Sequence, residues 1–123
     1  MPTVLIIEDD PNVRKFVSVN LSRRGYRVIS AADGEDGLTQ ARTERPDLVL
    51  LDLRLPGADG WVTLEAIRAD PDLARILVVI ITASAVEEEE RRARQLGVVD
   101  YLVKPLSAQD LVAAVRAALG EEE

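Results

Sequence analysis

The sequence predicts an α/β fold in which a parallel sheet carries helices on both faces. Short apolar runs of about strand length alternate with stretches of helical spacing along the chain. Apolar residues make up 47% of the sequence and aromatic residues only 3%, so the core is expected to be aliphatic. A length of 123 residues fits one domain. These observations favour one doubly wound sandwich of five strands and five helices.

Five apolar runs are predicted to form the strands. Each is rich in leucine or β-branched residues, and the first, third and fourth are almost continuously apolar, as expected for strands buried on both faces. In chain order the predicted strands are Val4–Ile7, Tyr26–Ala31, Leu48–Leu53, Ile76–Thr82 and Val98–Val103.

Four of the stretches between and after these runs carry ordinary helix signals. Asp10 is a candidate cap of the first helix, and the second helix is expected to start near Asp33. Asp59 is a plausible N-cap of the third. The last is expected to begin at Ser107, with an approximate capping box, and to end at Gly120.

The fourth predicted helix, Val86–Leu96, has a different composition. Its acidic run precedes three arginines, which predicts the i,i+4 pairs Glu87–Arg91, Glu88–Arg92 and Glu90–Arg94. Only Val86, Ala93 and Leu96 offer obvious packing positions. The acids are more simply interpreted as a solvated face. The alternative is a loosely packed helix that is free to shift, which would suit an output surface.

Composition excludes several classes of site. The formal charge is −7 without a concentrated basic surface, so direct binding of nucleic acid by this domain is not expected. The chain contains neither cysteine nor histidine, so a metal site must use oxygen ligands, which favour Mg²⁺ or Ca²⁺. The longest apolar runs are too short to span a membrane and no signal peptide is visible, so we expect a cytoplasmic location.

Residues with chemical capacity follow or end four of the five predicted strands. Glu8 and Asp9 follow the first, Asp52 lies near the end of the third, Thr82 ends the fourth and Lys104 follows the fifth. Ligands of open α/β sheets bind beyond the carboxyl ends of the strands. Each residue alone has a simpler explanation as a turn, cap or surface residue.

Taken together, these residues favour a functional site over the simpler explanations. Three carboxylates converging at one edge repel one another unless a cation holds them together. Lys104 is one such cation, and a bound metal ion would be another. Asp52 also lies within an otherwise apolar run, where a buried carboxylate needs a strong reason.

Four motifs at these positions occur in a recognisable order and spacing. They are Val4–Asp10, Asp52–Gly60, Thr82–Ala83 and Tyr101–Pro105. Together they resemble the receiver domain of two-component response regulators, over essentially the whole chain. The resemblance implies a flavodoxin-like fold with strand order 2-1-3-4-5. It implies a receiver domain over residues 1–120, with residues 121–123 as an acidic tail or the start of a linker.

The resemblance also implies a role for each residue of the site. Asp52 would attack a phosphohistidine of a partner kinase and form an acyl phosphate. Glu8, Asp9, Asp52 and the backbone carbonyl of Arg54 would hold Mg²⁺.

Three further roles concern the phosphoryl group once it is attached. Thr82 and Lys104 would each contact a phosphoryl oxygen, and Tyr101 would turn its ring inward when Thr82 moves. The bond between Lys104 and Pro105 would be cis.

A receiver would be a signalling switch, which catalyses only its own phosphoryl transfer and slow autodephosphorylation. The implied partners are a sensor histidine kinase or a histidine phosphotransfer protein, and a downstream protein or fused effector domain. A phosphorylation-dependent homodimer is a further candidate. The fourth helix, fifth strand and fifth helix would form the output surface.

Three alternatives fit the residues less well. A phosphatase of the haloacid-dehalogenase type needs a second Asp two residues after its nucleophile, where this chain has Arg54. A receiver-like interaction module that no longer switches by phosphorylation would typically lack one of Asp9, Asp52, Thr82 or Lys104, all of which are present. A flavodoxin would need a different loop after the first strand, because three consecutive acids would repel the phosphate of FMN.

Overall fold

The computed structural model describes residues 1–55 and 60–121, and within them five parallel strands form a single sheet. The sheet order is β2-β1-β3-β4-β5, which confirms the predicted doubly wound fold and strand order. The strands are β1 (Thr3–Ile7), β2 (Arg27–Ala31), β3 (Leu48–Asp52), β4 (Leu77–Thr82) and β5 (Asp100–Val103).

Each strand is followed by a helix. The helices are α1 (Pro11–Ser22), α2 (Gly34–Glu44), α3 (Gly60–Ala69), α4 (Glu87–Gln95) and α5 (Ala108–Ala118). In the described parts of the chain, no helix combines the length and apolar character needed to cross a membrane.

The strand order places a switch point beside β1. The chain passes from β1 to β2 on one side and then returns to add β3 on the other side of β1. Loops after β1 and β3 therefore lead to helices on opposite faces, which opens a crevice at the carboxyl edge of the sheet. The acidic residues predicted to form the site follow or end these two strands.

The core has two apolar layers, one on each face of the sheet. Side chains alternate along β1 and β3, so that Leu5 faces one layer and Ile6 the other. One layer is filled from α2, α3 and α4, for example by Leu64, and the other from α1 and α5, for example by Leu111. Burial on both faces explains why these strands are almost continuously apolar.

The predicted helix starts are confirmed wherever the structure describes them. The side chains of Asp10, Asp33 and Ser107 each accept a hydrogen bond from a backbone N–H of the first helical turn. The predicted cap Asp59 lies outside the described residues.

Several strands are shorter than predicted because their first or last residues belong to turns. The N–H of Tyr26 donates to the carbonyl of Leu21 at the end of α1, so β2 starts one residue later. The N–H of Ile76 likewise donates to the carbonyl of Leu73 in the turn before β4.

The prediction for α4 was partly wrong. Glu87–Arg91 and Glu90–Arg94 form the expected pairs. Arg92 instead contacts Glu65 on α3, and its guanidinium lies 4.1 Å above the ring of Trp61. The contact of Arg92 with the face of Trp61 is expected to contribute more stabilisation than the exposed pair Glu88–Arg92 would. Val86, expected to pack, is 47% exposed because it precedes the helix as its N-cap.

Candidate functional site

The structure brings the predicted strand-end residues together at the carboxyl edge of the sheet. Glu8 and Asp52 are almost completely buried, and the ammonium of Lys104 lies between their carboxylates. Its nitrogen is 2.9 Å from Oδ2 of Asp52 and forms an ion pair with Oε1 of Glu8. The expected convergence of acids and lysine is therefore present.

Lys104 is fixed at both its backbone and its side chain. Its N–H donates to the carbonyl of Thr82 at 2.7 Å, which extends the pairing of β4 and β5 by one residue. The peptide bond to Pro105 is cis, as the resemblance implies. Burial by itself would lower the pKa of Lys104, but the carboxylates of Glu8 and Asp52 outweigh it and raise that pKa above its usual value. Lys104 is therefore charged at neutral pH.

Glu8 is a buried carboxyl group with a raised pKa. Burial raises its pKa above the usual range, and this effect exceeds the opposing effects of Lys104 and of the N–H of Asp10. Oε2 accepts from that N–H at 3.1 Å, whereas the buried Oε1 is held by its ion pair with the ammonium of Lys104. A buried carboxylate oxygen in this situation is suited to a cation.

Asp9 completes an acidic cluster. Its side chain is exposed, and one oxygen from each of Glu8, Asp9 and Asp52 lies within 4.8 Å of the others. The guanidinium of Arg14 holds this loop by donating to the backbone carbonyls of Glu8 and Asp9 at 2.8 and 2.9 Å. A set of three carboxylates without nitrogen or sulfur ligands suits a hard divalent cation.

Asp52 is oriented by its own loop and by a close backbone contact. The N–H of Arg54 donates to Oδ1 at 2.8 Å, while Oδ2 faces Lys104. Gly60, the first residue of α3, packs so closely that a Cβ atom there would overlap the carbonyl oxygen of Asp52 and the backbone of Leu53. The absence of a side chain at Gly60 thus lets α3 start against the end of β3.

Thr82 lies at the end of β4, next to β3, and is fully buried. Its hydroxyl oxygen is 3.4 Å from the N–H of Ser84, which is a long hydrogen bond. The hydroxyl can therefore exchange this contact for a stronger one at small cost. Ala83, which follows Thr82, is exposed and small.

Tyr101 lies inward in this structure. It is only 8% exposed, and its hydroxyl donates to the carbonyl of Ser84 at 3.1 Å. Burial raises the pKa of its phenol, with a further contribution from Glu89. The movement expected of Tyr101 stays a prediction, but its partner is now identified in the segment that follows Thr82.

Sequence reasoning did not single out Ser84 and Glu89. Oε2 of Glu89 accepts from the hydroxyl of Ser84 at 2.6 Å and lies 3.1 Å from Nη2 of Arg54. The acids of α4 were interpreted as a solvated face, and Glu89 departs from this because its side chain is only 23% exposed. Its 35-residue separation from Arg54 leaves no signal in local spacing.

One predicted ligand is not tested by these contacts. Arg54 lies beside Asp52 through its N–H, and the role of its carbonyl oxygen as a metal ligand stays a prediction. Among the other predicted site residues, Glu8, Asp9, Asp52 and Lys104 lie together at the carboxyl edge of the sheet. A buried carboxylate, an ammonium and a cluster of carboxylate oxygens can together support transfer of an anionic group.

Comparison with known proteins gives a consistent result. The family model described as the response regulator receiver domain matches residues 4–116. The transcriptional regulatory protein AfsQ1 of Streptomyces coelicolor is 41% identical over all of this chain, which covers 54% of that protein. The protein PilH of Pseudomonas aeruginosa is 32% identical, with 97% of this chain and 98% of that protein covered.

Solved structures agree in fold. A response regulator from Chloroflexus aurantiacus superposes with a TM-score of 0.90 at 33% identity, covering 97% of this chain and 98% of that one. The receiver domain of the sensor histidine kinase PA1611 of Pseudomonas aeruginosa gives 0.87 at 32% identity with the same coverage, and holds a magnesium ion in its active-site cleft.

Proposed function

Because this chain belongs to the response regulator receiver domain family, and is thus a phosphorylation-activated signalling receiver, we propose that Asp52 accepts the phosphoryl group. The observation that carries the proposal is the buried Asp52 carboxylate held between Lys104 and the N–H of Arg54. A receiver domain over residues 1–120 with an acidic tail from residue 121 is part of the same proposal.

In the transfer step one bond to phosphorus forms, from an attacking oxygen, and one breaks, to a leaving nitrogen. A carboxylate oxygen of Asp52 attacks the phosphorus of a phosphohistidine, and a P–O bond forms as the P–N bond breaks. The electron pair of the broken bond stays on the imidazole nitrogen of the donor, which then takes up a proton from solvent. Lys104 offers its ammonium to a phosphoryl oxygen as negative charge gathers there.

We propose that Glu8, Asp9 and Asp52 hold Mg²⁺, together with the backbone carbonyl of Arg54. The oxygen donor set supports this assignment, and Oε1 of Glu8 already lies against a cationic group, the ammonium of Lys104. A bound Mg²⁺ would neutralise negative charge on the transferring group. Among the residues that the structure describes, Lys104 is the ion-pair partner of both the Glu8 and Asp52 carboxylates, and a metal ion would add to this offset of their repulsion.

The switch is proposed to run from Thr82 to the surface of α4, β5 and α5. The Thr82 hydroxyl would leave its long contact with the N–H of Ser84 and donate to a phosphoryl oxygen. Because the carbonyl of Ser84 accepts from Tyr101, movement of this segment changes the packing of that ring. A receiver module that no longer switches is less well supported, since it has no need of the contacts that link Ser84 to Thr82 and Tyr101.

Partners are also proposals. The chain spans about half the length of the transcriptional regulators that it matches. We propose a sensor histidine kinase or a histidine phosphotransfer protein as donor, and a downstream protein or a fused effector domain as recipient. A phosphorylation-dependent homodimer and a cytoplasmic location belong to the same set of expectations.

The test uses a small phosphoryl donor. The domain is incubated with Mg²⁺ and acetyl phosphate, and its intact mass is measured beside Asp52→Asn. We expect a gain of one phosphoryl group by the parent protein only, lost when Mg²⁺ is chelated. Equal labelling of Asp52→Asn would show that another residue is the acceptor. If the parent protein is not labelled and also fails to bind beryllofluoride, the proposed switch is wrong.

A further inference from the structure

A chain of polar contacts joins the end of β3 to the end of β4 outside the sheet. It runs from Asp52 to the N–H of Arg54, and from the Arg54 guanidinium to Glu89 in the first turn of α4. It continues through the Ser84 hydroxyl and returns through the Ser84 N–H to Thr82. Its two ends are the proposed phosphoacceptor and the proposed phosphoryl-binding hydroxyl.

We propose that Glu89 is a positioning residue that holds the Arg54 guanidinium on α4 while Asp52 is unmodified. After phosphoryl transfer, Arg54 leaves Glu89 and pairs with the phosphoryl group. This exchange uncouples the start of α4 from the loop after β3. The inference rests on the proposed function of Asp52. It adds that Glu89 regulates how tightly the site binds the phosphoryl group.

The pair between Arg54 and Glu89 is strong enough to form and weak enough to exchange. Both of its contacts, at 3.1 and 3.4 Å, use the single nitrogen Nη2, so it is not the two-nitrogen fork that makes arginine pairs strong. The Arg54 side chain is 58% exposed, and exposed pairs contribute little stability. A phosphoryl group offers three acceptor oxygens and more negative charge than one carboxylate. Arg54 therefore has a better partner once Asp52 is phosphorylated.

Other acids of the same helix turn lack this connection to the site. Glu87 and Glu90 pair with Arg91 and Arg94 within α4 itself. Glu89 reaches Arg54 in another loop and is also fixed by Ser84. Loss of its arginine partner would thus change how the first turn of α4 is held.

The hydroxyl of Ser84 carries the change to the start of the helix. Ser84 Oγ donates to Glu89 and lies 3.3 Å from the N–H of Val86, the N-cap of α4. When Arg54 departs, Glu89 keeps Ser84 as its partner but no longer ties α4 to β3. The exchange therefore frees one end of the helix that forms part of the proposed output surface.

The test is a double-mutant cycle in which the affinity for beryllofluoride is measured by fluorine NMR in the presence of Mg²⁺. The four proteins are the parent, Glu89→Gln, Arg54→Gln and the double variant. Glutamine at position 89 removes the charge but keeps an oxygen that can accept from Ser84. We expect Glu89→Gln to tighten binding about threefold and Arg54→Gln to weaken it about threefold. In the Arg54→Gln background, the Glu89→Gln change should have almost no effect.

Glu87→Gln is the matched control, because it removes the same charge from the same turn without touching Arg54. A second readout needs no Mg²⁺ or anion: side-chain NMR of the Arg54 guanidinium should show faster rotation in Glu89→Gln than in the parent. Equal tightening with and without Arg54 would overturn the inference, since Glu89 would then act only by its charge. If the parent itself fails to bind beryllofluoride, the proposed function fails and this inference fails with it.

Discussion

The ammonium of Lys104 lies 2.9 Å from Oδ2 of Asp52, although 52 positions separate the two residues in the chain. Asp52 ends β3 and Lys104 follows β5, and β4 lies between these strands. The lysine side chain therefore reaches across one strand to the buried carboxylate of Asp52. The ammonium therefore offsets part of the negative charge that Glu8 and Asp52 bring to this edge of the sheet.

Removal of the lysine charge should make the acidic cluster a better cation site. In Lys104→Met, Glu8 and Asp52 lose the ammonium that competes with a metal ion for their oxygens. We expect the affinity for Mg²⁺, measured by isothermal titration calorimetry, to rise roughly tenfold, which is about 1.4 kcal/mol. Lys15→Met is the control, because Lys15 is an exposed residue of α1. Weaker Mg²⁺ binding by Lys104→Met would contradict the competition.

Asp9 and Asp10 offer a matched pair for locating the cation. Both are exposed and acidic, but only Asp9 belongs to the carboxylate cluster, while Asp10 caps α1. We expect Asp9→Asn to weaken Mg²⁺ binding at least about tenfold, because one charged oxygen ligand is lost. Asp10→Asn keeps the cap and should weaken binding less than about threefold, through its charge alone. Equal effects in a calorimetric titration would mean that Asp9 is not a ligand.

A methyl group at Gly60 should disturb the end of β3. The added carbon in Gly60→Ala would overlap backbone atoms of Asp52 and Leu53, which cannot rotate away. We expect the free energy of unfolding, measured with urea, to fall by about 3 kcal/mol. Gly25→Ala is the comparison, because a Cβ atom at Gly25 would meet open space and only its φ of +89° is unfavourable. We expect the free energy of unfolding of Gly25→Ala to fall by about 1 kcal/mol. A smaller loss at Gly60 than at Gly25 would show that α3 can move aside.

Tyr26 provides a pH-dependent contact between the turn before β2 and Glu121, which follows α5. Burial raises its pKa to about 12 from 10.0, and the hydrogen bond that its hydroxyl donates to Glu121 at 2.5 Å adds to the shift. Since the folded state binds this proton more tightly than the unfolded state, the contact stabilises the fold fully below pH 10 and loses this effect as pH rises through 12.

In Glu121→Gln, the titration midpoint of Tyr26 should move part of the way back toward its ordinary value, because the charged acceptor is gone. Tyrosinate absorbance in the ultraviolet measures the midpoint, and Tyr26→Phe identifies which part of the signal comes from Tyr101. An unchanged midpoint would leave burial as the whole cause.

Local patterns were sufficient for the framework. Continuous aliphatic runs such as Leu48–Leu51 indicated strands covered on both faces, and caps such as Asp33 and Ser107 marked the helix starts. Strand ends are where α/β sheets bind ligands, so the position of Asp52 at the end of such a run pointed to the site. These signals are readable because they depend on neighbours a few residues apart.

The sequence by itself determined the sheet order, through the resemblance, and the identity of the residues that meet at its carboxyl edge. Only the tertiary structure decided which partner each long side chain takes. Arg54 pairs with Glu89, and Arg92 lies over Trp61 rather than beside Glu88. The exposed pairings available to an arginine differ by less than about 1 kcal/mol, so the choice depends on where the elements lie and not on spacing along the chain.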